Sequence, residues 1–174
     1  MVDKMLSSKD IEEWFYINNF NEPIIIRYRD LNRNIKQYLK KVNGYCCFVL
    51  YEKKPNVGHW TILFYDEVDD ILEFFDPYGV LIDDQLDHSY YEDKEHKLTK
   101  ILLDEFNDNL FEINDLQFQK YGKGINTCGK WCCIRYWSSK HGMSKEEFDR
   151  LFHDNMSIDQ TDKNVNLIYN ALDY

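Results

Sequence analysis

Three apolar runs rich in aromatic and β-branched residues, 45–51, 60–65 and 71–75, lie close together in the chain. Between them stand Lys53-Lys54-Pro55-Asn56 and Asp66-Glu67-Val68-Asp69-Asp70, both polar and turn-like. Strands joined by such short turns pair with their neighbours, so this block predicts an antiparallel meander. Asp76-Pro77-Tyr78-Gly79 stops the third strand, because proline lacks the ladder donor and glycine accepts positive φ.

Around the meander the pattern is largely helical. Residues 8–20 read as a helix capped by Ser8, with Ile11, Trp14 and Phe15 on one face. Residues 23–28 read as extended. A second helix is expected over 30–41, with Leu31, Ile35, Tyr38 and Leu39 spaced by three and four. The acidic stretch 83–97 reads as a solvated loop or irregular helix start. Residues 97–109 read as a helix, 111–118 as a strand broken at Asn114-Asp115, and 119–127 as a loop with two glycines. Helices follow over 128–140, over 144–152 with a capping box from Ser144 to Glu147, and over 165–172. A chain of 174 residues predicts one domain that buries roughly two thirds of its unfolded surface. It divides into an N-terminal helical segment (1–44), a core (45–138) and C-terminal helices (139–174).

The chain carries 31 acidic and 21 basic side chains, a net charge of −10 with histidine neutral. Such a chain is repelled on average by nucleic acid and anionic lipid, so neither is an expected partner. No apolar run is long enough to span a membrane. The first residues, MVDKMLSSKDIEEW, lack the apolar core of a secretory signal, so a reducing compartment is expected. The five cysteines at 46, 47, 128, 132 and 133 then argue against a disulfide framework, and most read as small buried apolar residues.

Three segments have chemical potential. Gly58-His59-Trp60 enters one strand, Asp76 closes the next, and Asn126-Thr127-Cys128-Gly129 opens a helix. Antiparallel pairing brings His59 and Asp76 to the same end of the sheet. An aspartate beside a histidine accepts its second ring proton and favours the imidazolium. A cysteine at a helix start meets unpaired backbone donors and the positive end of the helix dipole, which favour a thiolate. Together these are the parts of a cysteine nucleophile, with Gly129 giving an acyl substrate room to approach the backbone.

The segments GHWTILFYD, LEFFDPYG and NTCGKWCC, in that order, resemble the adenain-like cysteine proteases, the clan of the adenovirus maturation protease and the SUMO-specific proteases. The resemblance covers about residues 45–138, and His59 and Asp76 are 17 positions apart as in that clan. It implies an α+β fold: a mixed, mostly antiparallel central sheet flanked by helices, forming a papain-like cleft in permuted chain order. It also implies Cys128 as nucleophile, His59 as general base and acid, Asp76 as the residue orienting His59, and a glutamine as oxyanion donor. Gln119 is the preferred glutamine and Gln117 the alternative, both farther from the cysteine than in the relatives. Trp60 is expected to pack beside His59 and shield it, and Trp60 and Gly129 to touch substrate.

The implied function is a cysteine endopeptidase, a viral maturation protease cutting capsid or core precursors, commonly beside small residues such as glycine. It would need no cofactor or metal and act as a monomer in the host cytoplasm, viral factory or virion. An activating peptide is a possible partner, and duplex DNA is not expected to raise its activity. The alternatives are a protease of ubiquitin-like conjugates, an acetyltransferase sharing the triad, a zinc module built on Cys128, Cys132 and Cys133, and a capsid-associated structural protein.

Overall fold

The three apolar runs form the middle of a sheet in the computed structural model, which describes residues 4–32, 34–35, 39, 46–105, 111–154 and 156–173. The strands are β1 (Ile24–Arg27), β2 (Cys46–Lys54), β3 (Val57–Asp66), β4 (Ile71–Phe75) and β5 (Phe111–Ile113). They lie side by side in chain order, with β2, β3 and β4 antiparallel and the outer strands β1 and β5 each parallel to its neighbour. The helices are α1 (Ser8–Ile17), α2 (Lys97–Glu105), α3 (Cys128–Lys140), α4 (Lys145–His153) and α5 (Ile158–Ala171). The architecture is α+β, a mixed sheet flanked by helices, as the resemblance implies. Among the described residues no helix is long and apolar enough to cross a membrane.

Alternation along the strands divides the core into two layers. Cys46, Phe48 and Leu50 of β2 and Trp60, Ile62 and Phe64 of β3 face α1, α3, α4 and α5. Cys47, Val49 and Tyr51 of β2, with Leu63, Leu72 and Phe74, face α2 and the segment around Ile82 and Leu86. Helix α3 packs on β3 with nearly its whole circumference buried, so it is the central helix of its layer. Its charged Arg135 is fully buried, donating to Asp66 and Glu73 at 2.7 Å each.

Two glycines are required by close approach. A Cβ on Gly58 would stand 2.0 Å from the Tyr51 carbonyl oxygen, beside the register shift between Glu52 and Lys54. Gly79 has φ +68° and lies against the Leu116 backbone, where a Cβ would come within 2.6 Å.

Several expected boundaries move. Helix α1 is capped by Ser7 rather than Ser8 and stops at Ile17, where the Asn18 side chain donates to the Trp14 and Leu172 carbonyls. In the helix expected over 30–41, Leu31 is non-helical and 34–35 form a 3-10 turn in which the Asn32 side chain accepts the Asn34 amide. Residues 33, 36–38 and 40–41 lie outside the described residues, as do 106–109 of the helix expected to follow residue 97. The acidic stretch is not wholly solvated: Asp84–His88 is a 3-10 turn, and Asp83 and Gln85 are buried. Strand β5 ends at Ile113 because the next residue, Asn114, turns its side chain to the backbone of Asp76. Helix α5 begins at Ile158, seven residues before the expected 165, behind a capping box from Ser157 to Gln160.

Candidate active site

Strand β3 continues past the end of β4: Ile62 pairs with Phe75, so His59 extends beyond the last paired residue. Asp76 follows Phe75 directly, and the start of α3 packs against the same end of the sheet. His59 Nε2 lies 2.7 Å from Asp76 Oδ1, with both side chains buried. The Cys128 side chain is the other polar group acting on the imidazole, and with Nε2 committed to Asp76 the nitrogen left to face the sulfur is Nδ1. The Trp60 amide donates to Cys128 Sγ at 3.5 Å. Burial alone pulls the His59 pKa down; the Asp76 charge, its hydrogen bond and the Cys128 side chain outweigh this and raise it to about 9. The ring is therefore held as imidazolium at neutral pH.

Asp76 is fixed on every side. Its Oδ1 also accepts the Tyr78 amide at 2.8 Å, and its Oδ2 accepts the Gln85 side-chain amide at 3.1 Å. The Asn114 side chain accepts the Asp76 N–H at 2.8 Å and donates to its carbonyl at 2.7 Å, closing a backbone-like pair. The ring beside His59 is that of Tyr78, stacked at 4.4 Å and 11°, with Tyr121 stacked on Tyr78 at 4.2 Å. This corrects the shielding role expected of Trp60. Successive residues of a strand point to opposite faces, so Trp60 turns into the α3 layer, where its indole donates to the Leu6 carbonyl at 2.9 Å. Trp60 does line a groove of about 510 Å³ that Leu6, Ile26, Arg27, Leu50 and Asn56 also border.

Gln119 is buried in the segment that returns past the site. The amides of Phe118 and Gln119 both donate to the Pro77 carbonyl, at 2.8 and 2.9 Å. Gln119 Nε2 has only long contacts, 3.4 Å to the Tyr78 hydroxyl and 3.4 Å to the Ile125 carbonyl, and its Oε1 has no partner. The amide is thus beside the His59 stack and loosely engaged. Gln117 is different: its side chain donates to the Gln119 carbonyl at 2.8 Å and supports that residue from behind. Gly129 is buried, and a Cβ there would stand 3.2 Å from both Leu6 and Trp60. Its lack of a side chain serves that packing rather than open space for an acyl group.

The other thiols are placed differently. Cys46, Cys47, Cys132 and Cys133 are free and essentially inaccessible, and burial pushes Cys47 up to about 12 and the other three well up. Cys132 Sγ donates to the Trp60 carbonyl at 3.6 Å. Among the described residues no group of three or more His, Cys, Asp or Glu side chains is arranged to hold a metal ion.

Sequence reasoning identified Cys128, His59, Asp76 and Gln119, and the structure brings all four to one end of the sheet. It missed Tyr78, Gln85, Asn114 and Asp162, polar groups that fix the first four. Tyr78 lay within a quoted motif; Gln85, Asn114 and Asp162 carry no spacing signal.

No family model matches the chain. The chain is similar to the uncharacterized protein V9 of Sputnik virophage, 33% identical over 118 residues. That match covers 65% of this chain and 63% of the virophage protein, less than two thirds of its length. The similarity suggests a viral origin.

Proposed function

We propose that the chain is a cysteine endopeptidase of viral origin that hydrolyses peptide bonds through Cys128, His59 and Asp76, with virion precursor polypeptides as substrates. The observation that carries this reading is the buried His59–Asp76 hydrogen bond with the Cys128 side chain acting on the same imidazole at the start of α3. The similarity to a virophage protein supports the viral part alone.

In this reading the Cys128 sulfur adds to the substrate carbonyl carbon, and the carbonyl π pair moves to oxygen. The oxyanion receives the backbone N–H of Cys128 and the Gln119 side-chain amide. Asp76 holds Nε2, so the proton on Nδ1 faces the sulfur and passes to the leaving amine nitrogen as the C–N bond breaks. The resulting thioester is attacked by water, whose proton goes to His59, and Cys128 leaves as thiolate.

The test is incubation of the purified chain with a proteome-derived peptide library, with new termini mapped by mass spectrometry. Cleavage by wild type that disappears in Cys128→Ala and after iodoacetamide treatment is the expected result. Identical maps for wild type and Cys128→Ala would overturn the proposal.

A further inference from the structure

Asp162, on the first turns of α5, belongs to none of the motifs above, yet three groups converge on its buried carboxylate. Oδ2 accepts the backbone N–H of Lys120 at 2.7 Å. Oδ1 accepts the Thr127 hydroxyl at 2.7 Å and the Trp131 indole N–H at 3.1 Å. Lys120 is the residue after Gln119, Thr127 the residue before Cys128, and Trp131 lies one turn into α3. A single side chain therefore ties both ends of the 119–127 loop to the helix that carries the thiol.

Two consequences bear on the oxyanion position. First, Gln119 has almost no side-chain anchor, so its position is set by its backbone. The Pro77 carbonyl holds that backbone on one side, and Asp162, through Lys120, holds it on the other. Second, Thr127 occupies the N-cap position of α3 but makes no side-chain cap bond. A threonine there ordinarily turns its oxygen onto the first free amides of the helix. Here its hydroxyl is turned to Asp162 instead of the Gly129 or Lys130 amide, so Asp162 fixes the residue whose peptide link carries the Cys128 N–H.

We infer that Asp162 is a positioning residue for oxyanion stabilisation: through Lys120 it fixes the backbone that carries Gln119, and through Thr127 it fixes the peptide link that carries the Cys128 N–H. This deepens the peptidase reading and rests on it.

Two reactions of Cys128 separate this role from a general one in folding. Alkylation by iodoacetamide displaces iodide and forms no oxyanion. Addition of the Cys128 sulfur to a peptide aldehyde ending in glycinal forms a C–S bond and moves the C=O π pair to oxygen, which takes the proton shared by the Cys128–His59 pair to give a hemithioacetal. In Asp162→Asn the second acceptor becomes a donor facing the Lys120 amide. The expected result is turnover with kcat lowered about 10²-fold, KM within a few-fold of wild type, aldehyde affinity lowered in parallel, and the alkylation rate unchanged. Thr127→Val, nearly isosteric, is expected to lower kcat in the same sense by several-fold, and decides the matter if Asp162→Asn does not fold. Unchanged kcat and aldehyde affinity in the folded variants overturn the inference, as does an alkylation rate that falls together with turnover. Wild type that is alkylated at Cys128 but reacts with neither aldehyde nor peptide overturns the peptidase reading itself, and this inference with it.

Discussion

His59 presents Nε2 to Asp76 Oδ1 at 2.7 Å in a pocket where neither side chain meets water. Burial opposes the charge on His59, and Asp76 together with the Cys128 side chain more than offsets it, raising the pKa to about 9 against about 6.5 in an unfolded chain. The folded state therefore holds a proton that the unfolded state releases between these values. The stability this contributes is full below about pH 6.5 and is lost as pH rises through about 9. Urea midpoints should show the largest penalty for Asp76→Asn near pH 6, shrinking by pH 9.5. The basic limb of kcat/KM should lie near pH 9 in wild type and move to lower pH in Asp76→Asn, where only the Cys128 side chain still opposes burial. A limb that stays near 9 would mean that Asp76 does not set it.

Of the five thiols only Cys128 has both an imidazolium neighbour and a backbone N–H aimed at its sulfur. Iodoacetamide at pH 7 should modify it at least about tenfold faster than Cys46, Cys47, Cys132 or Cys133, whose burial holds them as unreactive thiols. Peptide mapping after brief exposure reads the ratio. His59→Ala should remove most of the preference, and equal labelling at all five positions would show that no activated thiol is assembled.

Asn114 substitutes for a strand residue at the end of β5, pairing with the backbone of Asp76 through both halves of its amide. Asn114→Ala leaves the buried N–H of Asp76 unpaired and takes one of two donors from its C=O, which keeps the Gly79 N–H, at a cost of about 1–3 kcal/mol in unfolding free energy. Asn114→Asp keeps the acceptor but turns the donor into a carboxylate oxygen facing the Asp76 and Leu116 carbonyls, so it should be no more stable than Ala. Chemical denaturation of the three proteins gives the order, and an Ala variant as stable as wild type would show that water replaces the amide.

The meander was legible because its turns are short and its strands alternate, so pairing followed from chain order. The bounds of α3 were legible for a similar local reason, the run from Cys128 to Lys140. The outer strands were not: β1 and β5 pair in parallel with strands distant in sequence, and nothing in Ile24–Arg27 or Phe111–Ile113 names a partner. The early start of α5 had a readable signal in Ser157 and Gln160. The misassigned neighbour of His59 was readable too, since alternation alone sends Trp60 to the other face. Asp66, Glu73 and Arg135 were not readable as a buried cluster, because three charges on three elements look in sequence like solvated surface.

That cluster sits toward the other end of α3 from Cys128, which separates its effects from those of the site. Arg135 gives Glu73 a two-pronged contact, Nε to Oε1 at 3.0 Å and Nη2 to Oε2 at 2.7 Å, and bonds Asp66 as well. Arg135→Met leaves two buried carboxylates without their counter-ion and should cost about 3–5 kcal/mol in unfolding free energy. Arg135→Lys keeps the charge but not the fork, and should lose part of that. Burial raises Glu73 to about 7 despite Arg135, so the folded state keeps a proton there that the unfolded state loses from about 4.5 upward. Stability should accordingly fall as pH rises from about 4.5 to about 7, by a slope that Glu73→Gln removes. Denaturation series at pH 4.5, 6 and 7 measure it. A wild-type slope retained in Glu73→Gln would place the titrating group elsewhere.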